Sequence, residues 1–239
     1  MGFVTFFDLV GTLVRPRAAI GTQYAAIAAR FVIDADAKAL NRAFPGVLAR
    51  SRPFALPGPG GADLLSLEKR AWRAIVEEVF REAGLATSTE SPNFNAYFDH
   101  LFDHFATRAA WDLYPDVVPA LAALKGAGLR VGLVSNFDSR VYPLLERLGI
   151  AAAFDSVTIP ANAGAAKPDP AIFRRALGAN NATAEEAAYV GDSVEHDLIP
   201  AKALGMAAIL IDRSGRRRAP AGVRRIRSLA ALPRRLGPG

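Results

Sequence analysis

Short apolar runs recur along the chain at Phe3–Phe7, Val131–Val134, Val157–Ile159, Ala188–Val190 and Ala208–Ile211. Runs of this length without polar alternation read as strands buried on both faces. Between the later runs, Val117–Lys125, Tyr142–Leu148, Pro170–Leu177 and Asp197–Leu204 have helical character. Strands and helices in alternation predict a parallel sheet with helices on both faces. The first strand is the exception, because residues 8–130 separate it from the second. That interval has another texture: Thr22–Phe31, Leu64–Gly84 and Phe94–Arg108 carry helical apolar spacing, as in Phe94, Tyr97, Leu101 and Phe105. Pro53–Gly61 is too rich in proline and glycine for regular structure. The simplest organisation is an α/β core built from residues 1–14 and 112–239, with an all-helical subdomain, residues 15–111, inserted after strand 1.

With 239 residues, 51% hydrophobic and 22% charged, the chain has material for a buried core. No apolar run approaches the roughly 20 residues that cross a bilayer. Asp8 interrupts the apolar N-terminus and no basic region precedes it, so it is a poor signal peptide. Gly2 is followed by Phe6 where a myristoylation signal wants Ser or Thr. The absence of cysteine removes disulfides and thiolate chemistry, and cytoplasmic residence is the expectation. The net charge of +6 is carried by the C-terminal end: nine arginines and no acid follow from Arg213 onward, and without them residues 1–212 stand at −3. Such a tail could bind nucleic acid or a membrane. The alternating Val223–Arg227 and the capped Ser228–Leu232 instead read as parts of the core, in a chain with 24 Arg and 5 Lys. Neither nucleic acid nor membrane is therefore expected as a partner.

In open parallel sheets, ligands and reacting groups gather at the carboxyl ends of the strands. Asp8 follows the first strand, Ser135-Asn136 the second; the loop after the third brings Lys167, and the fourth ends in Gly191-Asp192-Ser193 with Asp197 beyond. A carboxylate nucleophile, a hydroxyl, an ammonium and further acids on one rim suit an anionic substrate.

These residues also carry a resemblance. Phe7–Leu13 (Phe-Asp-Leu-Val-Gly-Thr-Leu) resembles motif I of the haloacid dehalogenase superfamily, and Val131–Asn136 resembles motif II. Lys167–Phe173 is similar to motif III and Val190–Asp197 to motif IV, in matching order and spacing. The resemblance implies a Rossmann-like core with a helical cap between motifs I and II. It implies Asp8 as nucleophile, with Ser135 and Lys167 as catalytic partners. It further implies Mg²⁺ held by Asp8, the Val10 carbonyl and Asp192, with Asp197 supporting the site; oxygen ligands suit that ion.

One position departs from the pattern. Phosphatases of this superfamily carry a second aspartate two residues after the nucleophile, as general acid and base, and here that residue is Val10. Dehalogenases of the superfamily also lack that aspartate, since halide leaves without a proton, but they generally lack the motif IV aspartate kept here as Asp192. Phosphonoacetaldehyde hydrolases need a cap lysine, and Lys38 and Lys69 have no surroundings that mark them as activated. Asp-x-Val-Gly-Thr-Leu with Ser135–Arg140 resembles a subgroup of capped hydrolases. Arg15, Arg17, Asn136 and Arg140 are candidates for orienting an anionic substrate, or ordinary loop-fixing groups. His100 and His104 have zinc spacing without a third ligand, and His196 beside Asp197 is a candidate proton donor or cap. Trp111 and Tyr114 read as packing residues where the chain returns to the core. The reading is a Mg²⁺-dependent hydrolase of a small phosphorylated metabolite, as monomer or homodimer. The alternatives are a 2-haloacid dehalogenase and a weakly catalytic protein that binds a phosphorylated ligand.

Overall fold

The computed structural model describes residues 3–51 and 62–232; the loop expected at Pro53–Gly61, together with Gly2, Arg234 and Arg235, lies outside them. β1 (Val4–Phe7) leads into a tight turn and the short β2 (Val14–Pro16). Four helices follow: α1 (Ile20–Arg30), α2 (Ala37–Arg50), α3 (Ala62–Glu82) and α4 (Phe94–His104). The chain returns through β3 (Trp111–Leu113), which pairs antiparallel with β2. It then alternates through α5 (Val117–Gly126), β4 (Arg130–Val134), α6 (Val141–Leu148), β5 (Ser156–Thr158), α7 (Pro160–Ala163), α8 (Pro170–Ala179), β6 (Ala187–Gly191), α9 (Ile199–Ala203), β7 (Ala207–Ile211) and β8 (Arg224–Ile226). The sheet order is β5-β4-β1-β6-β7-β8, with every pairing parallel.

Every residue of β1 is buried, because helices cover both faces of the sheet. Its side chains alternate between two cores, as strand geometry requires. Val4 and Phe6 pack with Ile172, Phe173 and Ala201 of α8 and α9, while Phe7 joins Leu121 and Leu144 of α5 and α6. That second core runs on without interruption through Leu9, Leu13 and Trp111 into the helical segment, reaching Tyr24, Leu40, Phe80 and Tyr97.

Several expectations are refined. Residues 37–50 form a helix the hydrophobic pattern did not single out: Asp36 caps it by accepting from the Ala39 N–H at 2.6 Å, and Ala39, Leu40, Ala43 and Val47 are buried on one face. Pro45 inside this helix disguises it, since proline ordinarily ends a helical pattern. The boundaries expected after residues 14 and 111 fall inside the β2–β3 ribbon, whose three-residue strands are too short to show periodicity. The helix expected over Asp197–Leu204 is corrected: one turn of π-helix spans Val194–Leu198, and α9 begins only at Ile199. Pro200 has no N–H to extend α-type bonding back into that turn, and Asp197 folds its carboxylate onto the Ser193 N–H at 3.0 Å. Ser156–Thr158, one residue earlier than expected, form β5, because the Ile159 N–H is taken by Asn162 Oδ1 at 3.0 Å.

The described part of the basic C-terminal segment, as far as Leu232, belongs to the core. β8 extends the sheet beside β7, and Ser228 caps a short 3₁₀ turn over Leu229–Ala231. Arg213 pairs with Asp116 at 2.6 Å and Arg225 with Asp212 at 2.9 Å. Among the described residues no helix is long and apolar enough to cross a membrane.

The helical segment is latched to the loop after β4. Glu68 of α3, fully buried, accepts from the Ser139 N–H at 3.1 Å and the Ser139 hydroxyl at 3.0 Å. Trp72 Nε1 donates to Asp138 at 2.5 Å. Burial and the nearby Asp138 carboxylate raise the Glu68 pKa above the usual range. Glu68→Ala strands the Ser139 N–H and should cost about 1–3 kcal/mol. Glu68→Gln keeps an acceptor oxygen and should lose less; urea denaturation of the two variants checks the difference.

Candidate active site

Four strand ends meet on one rim. The Asp8 N–H donates to the Val190 carbonyl at 2.9 Å, which locks the end of β1 beside the end of β6. Lys167, from the loop after β5, is fixed through its main chain: its N–H donates to Asn136 Oδ1 at 2.7 Å, and Asn136 Nδ2 donates to its carbonyl at 2.8 Å. Asn136, which lines the cavity, thus orients the Lys167 main chain through its side-chain amide. The Lys167–Pro168 peptide is cis.

The Lys167 ammonium is buried and donates to Asp8 Oδ1 at 2.6 Å, Asp197 Oδ1 at 2.6 Å and the Tyr189 hydroxyl at 3.1 Å. Those bonds use all three of its hydrogens. Burial works against the charge, but Asp197 and Asp8 outweigh it and hold the Lys167 pKa above that of an ordinary lysine. Tyr189 OH in turn lies 2.9 Å from the Val134 carbonyl and 3.1 Å from Asp197 Oδ1. Asp8 Oδ2 accepts no hydrogen bond among the described residues, and Asp8 lines a large cavity. One oxygen of this carboxylate is therefore held and the other is available.

Asp8, Asp192 and Asp197 each present an oxygen within 4.8 Å of the others. Burial pushes the Asp8 carboxyl up to about 7; Lys167 opposes the rise, while Asp197 and Asp192 add to it. Asp192 is also raised, by burial and then by Asp197. Lys167 alone leaves these three acids with an excess of negative charge, and Arg217 answers part of it by reaching Asp192 Oδ2 at 3.1 Å. Asp192 Oδ1 and the Val10 carbonyl oxygen accept no hydrogen bond among the described residues. Asp197 has both oxygens engaged, by Lys167 and by the Ser193 N–H, which suits orientation of the site. Hard oxygen donors with surplus negative charge fit a divalent cation such as Mg²⁺.

Two glycines make the cluster possible. Gly11 has φ +89, and a Cβ there would stand 2.6 Å from Asp192 Cγ. A Cβ on Gly191 would lie 2.5 Å from Asp197 Cγ. Both close approaches exclude any side chain.

Ser135 is buried at the cavity beside Asp8; its Oγ accepts from the Phe137 N–H at 3.2 Å, and its hydroxyl hydrogen has no acceptor among the described residues. Arg140, 6% exposed, is held by both oxygens of Asp138 and by the Phe102 carbonyl, and its guanidinium lies 3.9 Å from the Phe102 ring centroid. It lines the cavity with its charge already neutralised. Arg15 is exposed on β2 above the Tyr114 ring at 5.7 Å, and Arg17 pairs with Asp112 at 2.9 Å; neither lines the cavity. His196 lines the cavity, with Nδ1 3.2 Å from Ser193 Oγ. His104 bonds Gln23 and His100 bonds Arg30, so neither joins a metal cluster among the described residues. Sequence reasoning missed Tyr189 and Arg217. Tyr189 sits in an apolar run that reads as plain core, and Arg217 is one of several arginines in a row.

The family model of haloacid dehalogenase-like hydrolases matches residues 4–205. The bovine haloacid dehalogenase-like hydrolase domain-containing protein 3 is 31% identical over 207 residues, spanning 86% of this chain and 80% of that protein. A phosphoserine phosphatase from Thermus thermophilus is 36% identical over 142 residues, 57% of this chain and 54% of its own. Among solved structures, a defluorinating L-2-haloacid dehalogenase superposes with a TM-score of 0.74 at 23% identity, over 97% of this chain and 93% of that one, which speaks to the fold. The motif residues that converge on Lys167 and the match across most of the chain lead to one conclusion: this protein is a member of the haloacid dehalogenase-like hydrolase family.

Proposed function

We propose that the chain cleaves a phosphoryl group from a small anionic molecule, using Asp8 as nucleophile beside Mg²⁺. The observation that carries this reading is the divided role of Asp8: Oδ1 is held by Lys167, Oδ2 is free at the cavity, and two further carboxylates stand close by. Asp8, the Val10 carbonyl and Asp192 would hold the metal, with Asp197 orienting them. The bound ion would offset charge on the phosphoryl oxygens and on the carboxylates.

An oxygen of Asp8 attacks phosphorus as the bond to the leaving group breaks, and that bond's electron pair departs with the leaving group. Lys167 keeps the carboxylate oriented, and the Ser135 hydroxyl donates to a phosphoryl oxygen. Water then attacks phosphorus in the acyl phosphate, releasing phosphate and regenerating Asp8. Val10, lining the cavity, offers no proton to either half of the reaction. Leaving groups stable as anions, such as acyl or aryl oxygens, are therefore favoured over alkoxides. Helices from the segment 15–111 wall the cavity and serve as its cap, with selectivity set by their side chains.

Val10 also favours one alternative, displacement of halide from a 2-haloacid, in which Asp8 attacks carbon and the leaving group needs no proton. Halide release that persists in EDTA would replace the phosphoryl reading. A phosphorylated ligand that raises the Tm with Mg²⁺ yet is never hydrolysed would indicate a binding protein.

Asp8→Asn should abolish turnover, while Val10→Asp should raise the rate on an alkyl phosphate by up to about 10²–10⁴. A phosphatase assay with and without Mg²⁺ reads both, and an unchanged Val10→Asp rate would mean the missing acid does not limit the enzyme.

A pH dependence follows from Asp8. Its carboxyl titrates near 7 when folded, against an ordinary value of 3.8. In EDTA the native state retains a proton that the unfolded chain has lost between those values, so stability should fall as pH rises from about 4 to about 7. Mg²⁺ requires the ionised form, so its stabilisation should be largest above that window, about 2.7 kcal/mol at a hundred times its Kd. Urea midpoints at pH 5 and pH 8, with Mg²⁺ or EDTA, test the sign, and Asp8→Asn should flatten both trends.

A further inference from the structure

The cavity above Asp8 has a volume of about 630 Å³. That is within the range of about 300–1,000 Å³ that holds drug-sized ligands. A phosphoryl group needs only a small part of it. The remainder is walled by Tyr24 of α1, Phe44 and Leu48 of α2, Ile75 of α3, Leu101 of α4 and Phe105 just after it. Polar groups on these walls are mostly engaged already. The Ser51 hydroxyl donates to the Val47 carbonyl at 2.8 Å, Trp72 Nε1 donates to Asp138, and Arg140 is neutralised by Asp138. Among the described lining residues Arg140 carries the only permanent positive charge, and Asp138 already answers it, so those residues offer a second anionic group no free cation. The Tyr24 hydroxyl, with no partner among the described residues, is one polar foothold.

We infer that the substrate is amphipathic: a single phosphoryl head at Asp8 joined to a bulky apolar body, an aromatic ring system or an alkyl chain of medium length. This rests on the phosphoryl reading above and narrows it. A sugar or amino-acid body would leave hydroxyls or an ammonium against hydrocarbon, and each stranded polar group weakens binding roughly five- to a hundredfold. An apolar body instead leaves water for a matching wall, worth up to roughly fourfold per methylene. The aryl form of such a body agrees best with Val10, since an aryl oxygen leaves without help from an acid whereas an alkoxide does not.

The test is titration calorimetry of the full chain with Mg²⁺ and the non-hydrolysable methyl-, butyl-, octyl- and naphthylmethylphosphonates, with neutral 1-octanol alongside. Affinity should rise by roughly threefold or more per added methylene until the cavity is filled, and naphthylmethylphosphonate should bind far more tightly than methylphosphonate. Leu48, 40% exposed at the edge of the wall, can change without disturbing the core. Leu48→Gln should cut octylphosphonate affinity several-fold more than methylphosphonate affinity. A flat or falling series, with methylphosphonate still bound, overturns the apolar body and leaves the phosphoryl reading intact. Failure of every phosphonate while 1-octanol binds overturns the phosphoryl reading and supports an apolar ligand. Failure of both overturns the present inference.

Discussion

A single buried ammonium organises this molecule. Lys167 gives its three hydrogens to Asp8, Asp197 and Tyr189, and each partner comes from a different place on the rim of the sheet. An ammonium in so dry a place is tolerable only while its partners remain, and removing one partner of such a pair typically costs about 3–5 kcal/mol. Asn136 clamps the Lys167 main chain, and Tyr189 reaches back to the Val134 carbonyl. The ends of β1, β4 and β6, the loop after β5 and the π-turn therefore satisfy one constraint together. Stability of the rim and orientation of the Asp8 carboxylate are the same property.

That constraint leaves an imbalance of charge. Lys167 answers two carboxylates, and Asp192 makes a third, which raises the Asp8 and Asp192 pKa values in a site where burial already does so. Arg217 relieves Asp192 from outside, one instance of how the arginine-rich end of the chain is used: Arg213 and Arg225 likewise neutralise Asp116 and Asp212. The positive charge that dominates the C-terminal sequence is thus partly neutralised inside the fold. On the opposite side of Asp8 the surroundings change from ionic to hydrocarbon, so a substrate meets charge at one end and apolar wall at the other.

The latch between α3 and the loop after β4 couples the two halves. Glu68 and Trp72 hold Ser139 and Asp138, Asp138 holds Arg140, and Arg140 stacks on Phe102 of α4. Arg140 immediately precedes α6, whose buried face begins at Val141 and continues through Leu144, Leu145 and Leu148. The same short segment therefore joins motif loop, helical layer and cavity wall.

Much of this was legible in the residues alone. Uninterrupted apolar runs determined the buried parallel strands, because a strand covered on both faces has no polar side to alternate. The positions of Asp8, Ser135, Lys167 and Asp192 at the ends of those runs determined that they share a rim, since parallel strands bring their carboxyl ends together. The β2–β3 ribbon, the π-turn and the helix over residues 37–50 were hidden, being too short, or interrupted by Pro200 and Pro45, for periodicity to register. Only the tertiary structure decided that Asn136 and Arg140 commit their polar groups to protein partners, that Tyr189 belongs to the ionic cluster, and that Arg217 reaches Asp192. Most of those contacts join residues far apart in the chain, such as Asn136 with Lys167 and Arg140 with Phe102, and local sequence carries composition and period but not distance.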